Sequence, residues 1–175
     1  MPKRLTEFFV VDVLVSFDII SRHMKKIHNA LAFVKNETVF IVVTRELEIL
    51  GEAINNFLKD ENLHHLAGPT WREVVDFRNV ISHEYFGLNY EEIFDIVTND
   101  LSIFGKEVFD VVKKIKDSEN FKLAISETKN DFVKIGRNQS VRYLKNLEQQ
   151  LYKQTKKSNS KSKDSVDKTT KLTKF

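Results

Sequence analysis

Apolar residues recur at intervals of three and four through most of this 175-residue chain, a spacing that commits it to helices. Phe8, Val11, Val15 and Ile19 form one such run and Ile27, Leu31 and Val34 continue it, so residues 5–34 read as a first helix. Residues 8–20 are apolar on more than one face, which predicts burial on two sides, by the chain's own core and by a second subunit. Val is frequent there, but Asp12, Ser16 and Asp18 fit a helical polar face better than the two-residue alternation of a strand. A second helix opens at Asn36 to Thr38, either of which can cap it. Residues 39–43 look like a strand in isolation, yet the pattern runs on through Leu47, Leu50, Ile54 and Phe57. Gly68-Pro69 marks a turn. Thr70 and Glu73 make a capping-box pair for a third helix over about residues 71–84, closed by Gly87. Asn89-Tyr90-Glu91-Glu92 makes another, opening a fourth helix through Ile93, Leu101, Phe104, Val108 and Val112. Residues 118–135 and 139–152 read as two amphipathic helices parted by Gly136. With five Gly and two Pro, a turn-dense β-sandwich or barrel is excluded and the fold class is all-α.

Cysteine is absent, which removes disulfides, thiolate metal sites and Cys nucleophiles together. No apolar run approaches the ~20 residues a membrane span needs. Lys3-Arg4 followed by residues 8–11 imitates a signal peptide, but Asp12 and Asp18 interrupt it and no small-residue cleavage site follows. The expectation is a cytoplasmic protein with no membrane association. Charge is segregated: residues 153–175 hold eight Lys and two Asp, whereas residues 1–152 hold 20 basic and 23 acidic side chains. The Lys/Ser/Thr-rich end reads as a low-complexity, disordered tail. It is either a solvated terminus or a segment that attracts a polyanion such as nucleic acid.

Glycine-loop phosphate motifs and the HExxH zinc helix are both absent. His23 and His28, five apart, share no helical face, and His64-His65 falls in a polar connection, so these four read as surface histidines rather than metal ligands. His83 differs in its company. Arg78, Asn79, Ser82, His83 and Tyr85 crowd into eight residues among Phe77, Val80, Ile81 and Phe86. Arg offers a planar, permanently charged fork for phosphate, and His exchanges a proton near neutral pH. Five helical residues span about 500° and ~7.5 Å, so Arg78 and His83 point about 140° apart unless the helix ends or the Arg wraps round. The segment is either an active site or a capped structural helix end.

Arg78-(four residues)-His83-Glu84-Tyr85 resembles the R-x4-H-x-Y motif of HepT-like proteins in the HEPN superfamily, the ribonuclease toxins of HepT–MNT toxin–antitoxin modules. Residues 45–53 (Arg45-Glu46-Leu47-Glu48-Ile49-Leu50-Gly51-Glu52-Ala53) resemble the family's RNLEIIGEA-type helix, with Glu46 where Asn is usual. Trp71-Arg72-Glu73 with Arg78-Asn79-Val80-Ile81, and residues 95–101, resemble two further family segments. The resemblance implies a HEPN-like antiparallel bundle of four to five helices over residues 1–116. Residues 117–152 would be a helical extension and 153–175 the tail. It also implies a homodimer with clefts where the motif helices meet, and RNA cleavage without metal or other cofactor. Arg78 and His83 would be catalytic, and Asn79 would orient the phosphate or His83. Tyr85 would be the site at which a cognate nucleotidyltransferase antitoxin adds AMP. Glu46, if it faced the cleft, would oppose RNA or pair with Arg45 or Arg78. A competing function is a non-catalytic HEPN module that binds nucleotide or scaffolds a nucleotidyltransferase.

Overall fold

The computed structural model describes residues 4–83 and 89–158, with the side chains of residue 83 and of 153–158 excepted. Among the described residues the structure is all helix and turn. Its elements are α1 (Thr6–Met24), α2 (Ala30–Lys35), α3 (Glu37–Phe57), α4 (Trp71–His83), α5 (Tyr90–Asp95), α6 (Leu101–Ile115), α7 (Glu119–Lys134) and α8 (Asn138–Ser158). A single π-helical turn, Ile96–Asp100, joins α5 to α6 without a break.

The helix starts follow local chemistry. The Asn36 side chain accepts from the Val39 amide at 3.2 Å to open α3, and Asn89 accepts from the Glu91 and Glu92 amides to open α5. Thr70 behaves differently from the expected capping box. Its hydroxyl donates to the Glu107 carboxylate of α6 at 2.8 Å, and its amide reaches the same oxygen at 3.4 Å. A carboxylate from a distant helix therefore joins Glu73 in placing negative charge at the start of α4. Gly136, at φ 75°, closes α7: the Arg137 amide donates back to the Phe132 carbonyl at 2.9 Å.

One expectation needs correction. The apolar spacing of residues 5–34 does not form one helix: α1 ends at Met24, and α2 starts afresh at Ala30. The Asn29 side chain accepts from the Ala32 amide at 2.8 Å and caps α2. The new direction drives Phe33 into a second cluster with Val39, Val43, Ile81 and Ile93.

The pairings are antiparallel. Ser16 meets Glu46 and Thr6 meets Asp60 across α1 and α3 and the turn that follows α3. Phe57 packs against Trp71 with the rings tilted, while Ser82 faces Glu48 across α3 and α4. α1 is the central helix, with Val10, Val11, Val13, Leu14, Val15, Ile19 and Ile20 all buried. It packs against α3 on one side and α6, α7 and α8 on others. The second apolar face of α1 is thus covered by the chain's own α7 and α8, through Phe121, Ala124, Ile125, Leu144, Leu147 and Leu151. That face no longer requires a second subunit to bury it. Among the described residues no helix is long and apolar enough to cross a membrane.

Leu144, with no exposed surface, links α8 to the same cluster as Trp71. Leu144→Ala should cost about 2–5 kcal/mol. Guanidinium unfolding should show a lower midpoint and one transition, coincident by circular dichroism and by the fluorescence of Trp71. Two separated transitions would mean that α8 is not part of the main cooperative unit.

Candidate active site

The site is built where α4 crosses α3 at close range. A Cβ placed on Gly51 would lie 2.3 Å from the Arg78 Cβ and 3.3 Å from the Val74 carbonyl oxygen, so only glycine admits this approach. The contact sets the Arg78 stem against the α3 backbone. Its guanidinium is then held from two sides. One terminal nitrogen pairs with Glu52 of α3, and the other donates to the Asn79 side-chain oxygen at 2.9 Å. The Arg78 side chain keeps 29% of its surface accessible, enough to meet a ligand.

Arg78 lines a cleft of about 290 Å³ between α1, α3 and α4. Two further Arg residues line it, each beside a carboxylate: Arg4 pairs with Asp12, and Arg45 pairs with Glu48 at 2.9 Å. Ser82, also on the wall, lies 3.5 Å from Glu48. The cleft therefore presents three guanidinium forks, each balanced by one acid. Partly exposed pairs of this kind contribute about 0–1 kcal/mol. A phosphate that accepts two parallel N–H bonds from one fork competes readily with such a partner. The arrangement suits a site that receives an anion and stays neutral without one.

The structure brings Arg78 and Asn79 together. It also keeps α4 helical through His83, so the backbone at His83 lies about 140° round the helix and ~7.5 Å along it from Arg78. The His83 side chain, and all of Tyr85, lie outside the described residues. Asn79, expected to orient phosphate or His83, has Arg78 as its hydrogen-bond partner. Glu46 turns away from the cleft: it accepts a hydrogen bond from Ser16 of α1 at 2.7 Å and pairs with neither Arg45 nor Arg78. Glu46 is absent from the cleft wall, so its carboxylate does not face a phosphate bound there.

Sequence reasoning missed Glu52, Glu48, Asp12 and Arg4 as members of the site. A signal existed for part of it. Arg45, Glu48 and Glu52 fall at i, i+3 and i+7, within one narrow face of α3. The other histidines stay out of the cleft. His23 Nδ1 lies 2.8 Å from the Ile19 carbonyl, and His28, His64 and His65 are exposed.

Comparison with known proteins agrees with this architecture. Residues 13–121 match the family described as Ribonuclease HepT-like. The chain belongs to the HepT-like ribonuclease family, a HEPN-type group. Two Methanocaldococcus jannaschii proteins named "Putative RNase" are each 32% identical to it. One aligns over 120 residues (68% of this chain, 97% of the relative) and the other over 108 (62% and 97%). A Thermococcus cleftensis protein named "Probable ribonuclease HepT" is 30% identical over 105 residues, 59% of this chain and 94% of the relative. No solved structure gives a significant match. The family match takes in α1 from residue 13 to the start of α7, and α8 lies wholly beyond it.

Gly51→Ala tests the geometry. Alanine raises helix propensity by about 1 kcal/mol, but overpacking against Arg78 should cost more, about 1–3 kcal/mol. The urea midpoint should therefore fall despite the better helix former; a raised midpoint would show that α3 and α4 can separate at no cost.

Proposed function

We propose that this protein is a metal-independent endoribonuclease, the toxin of a toxin–antitoxin module. The observation that carries the reading is the Arg78 fork, held by Glu52 and Asn79 at a cleft, on the same helix that carries His83. Membership of a ribonuclease family supports it. In the reaction a ribose 2′-oxygen bonds to the adjacent phosphorus as the bond from phosphorus to the 5′-oxygen breaks. The products are a 2′,3′-cyclic phosphate and a 5′-hydroxyl. His83 takes the 2′-OH proton, gives one to the departing 5′-oxygen, or does both across the two subunits. Arg78 stabilises the charge that builds on the equatorial oxygens. Asn79 and Glu52 keep the guanidinium plane turned toward the cleft. DNA, lacking the 2′-OH, is bound but not cut.

The active species is a homodimer. A single α4 carries Arg78 and His83 about 140° apart, and pairing of two motif helices lets the fork of one copy work with the imidazole of the other. The partner in the cell is a nucleotidyltransferase antitoxin. The Tyr85 hydroxyl attacks the α-phosphorus of ATP on that partner and pyrophosphate leaves. The AMP group then sets bulk and negative charge beside Arg78 and His83, which excludes RNA by volume and by repulsion.

His83→Ala should lower the cleavage rate of unmodified RNA by ~10²–10⁴ while leaving the helical circular dichroism and the dimer mass in light scattering intact. Arg78→Lys should be similarly impaired, because a point charge does not reproduce the fork. A chelator should leave the rate unchanged. Full activity in His83→Ala would sink the catalytic assignment. A wild-type protein that never cuts RNA, but binds its nucleotidyltransferase, would replace the toxin with a non-catalytic scaffold.

Tyr85→Phe addresses control separately. Incubated with the cognate antitoxin and ATP, the wild type should gain AMP in intact-mass measurement and lose activity. Tyr85→Phe should gain none and stay active. Equal inhibition of both proteins with no mass change would point to inhibition by complex formation instead.

A further inference from the structure

The three guanidinium groups of the cleft are not held alike. Arg78 is fixed from two sides, by Glu52 and Asn79. Arg4 is fixed more firmly still: both of its terminal nitrogens bond to Asp12, and its guanidinium lies 5.2 Å from the ring centroids of Phe8 and of Phe9. Arg45 makes one bond among the described residues, from a single terminal nitrogen to Glu48, and leaves 69% of its side chain accessible.

The order of that pair also sets it apart. In the other ion pairs between residues one helical turn apart, the acid comes first: Asp18–Arg22, Asp110–Lys113, Glu119–Lys122 and Asp131–Lys134. In Arg45–Glu48 alone among the described residues the base comes first, the order that opposes the helix dipole and binds less well. The cleft thus holds two set forks and one that changes partner readily. Exposed basic side chains on the outer helices have no such setting, because none of them lines the cleft.

Register fixes where Arg45 acts. Along the antiparallel α3 and α4, Glu52 meets Arg78 and Glu48 meets Ser82, one turn further on. The carboxylates that occupy the Arg78 and Arg45 forks are four residues apart, a rise of ~6 Å. That is the scale of one sugar–phosphate repeat, and too long for the directly bonded phosphates of a nucleoside diphosphate. The cleft, about 290 Å³, is also several times larger than one phosphate fills.

We propose that Arg45 forms a second phosphate subsite, one nucleotide from the phosphate held by Arg78, so that the cleft grips two successive phosphates of one RNA strand. That the strand is RNA rests on the ribonuclease reading; the grip itself does not require cleavage. As the strand enters, the Arg45 fork leaves Glu48 and donates parallel N–H bonds to the second phosphate. Glu48 keeps the Ser82 hydroxyl, 3.5 Å away, as its neighbour. Until then Glu48 neutralises the fork, so the subsite takes an anion that arrives in step with one on Arg78.

The test uses the full chain and 2′-O-methyl diuridine, which has one phosphate and no 2′-OH with which to be cut. The same dinucleotide is made with a further phosphate on its 5′ or its 3′ end. Each competes with a fluorescein-labelled 2′-O-methyl oligoribonucleotide, read by anisotropy. On the wild type, one of the two added phosphates should tighten binding about tenfold, the size of one charge-assisted contact. In Arg45→Gln that gain should fall below about twofold while the bare dinucleotide binds as before. In Glu48→Gln the gain should rise, because the competing acid is gone. Lys113→Gln and Asp110→Asn change the same charges in a matched pair on α6 and should leave the gain as it is. Circular dichroism checks that each variant is folded. No gain from either phosphate would overturn the subsite. So would a shift in the same direction in Arg45→Gln and Glu48→Gln, since a pair that only braces α3 is lost equally from either side. ADP that competes as well as the doubly phosphorylated dinucleotide would also overturn it. Cleavage of unmodified RNA is scored separately. The Arg45-dependent gain without cleavage keeps the subsite and removes the ribonuclease reading; cleavage without the gain does the reverse.

Discussion

The close approach of α4 to α3 at Gly51 governs the site. Were any side chain present at Gly51, the α4 backbone would stand off, and the Arg78 stem would no longer start against α3. The short pairing with Glu52 depends on that start, because Glu52 is the next residue along α3. The two ends of the crossing hold it in register. At one end Phe57 packs tilted against Trp71 with ring centroids 4.8 Å apart, and at the other Ser82 faces Glu48. Glu107 then fixes the start of α4 from a third helix, in a space that a Cβ on Gly68 would fill. Two glycines thus convert generic helix packing into one defined position for a guanidinium.

Much of this fold is legible in the sequence because its determinants are local. Asn36, Asn89 and Gly136 act within a few residues of where they stand, and each marks a helix end. The β-branched run at residues 39–43 is helical because its apolar spacing continues through Leu47 to Phe57; tertiary burial overrides a weak local preference. The break between α1 and α2 is harder to see, since Ile27, Leu31 and Val34 keep the helical interval across it. Asn29 is the one local mark, and it competes with a periodicity that the second helix simply resumes. The apolar breadth of α1 shows that two layers cover it but not which ones. Its own α7 and α8, more than ninety residues away, are as good a cover as a second subunit.

The site is legible only in part, for a related reason. Arg78 and Asn79 are neighbours in the chain and remain partners in space. Glu52 is 26 residues from Arg78, and nothing in the sequence alone chooses it over Glu46 or Glu48 as the acid that holds the fork. The choice is made by helix rotation. Glu46 lies on the α1 side and meets Ser16, Glu48 meets Arg45, and Glu52 is left to face α4. Thus three acids within seven positions take three different partners, none of which their identities dictate.

Electrostatics then explains why the basic side chains are divided as they are. A cleft holding three unpaired Arg would bind any polyanion, and mutual repulsion would loosen the helices that form it. Pairing each with an acid keeps α1, α3 and α4 together and lets the phosphate that fits both fork and cleft displace the carboxylate. The cost is a weak field at long range, because a neutralised fork attracts little beyond contact. Exposed charges on α8 carry no such structural duty: removing Arg142 leaves Leu144, Leu147 and Leu151 still buried. Short-range recognition is therefore best placed where ion pairs can be exchanged one for one.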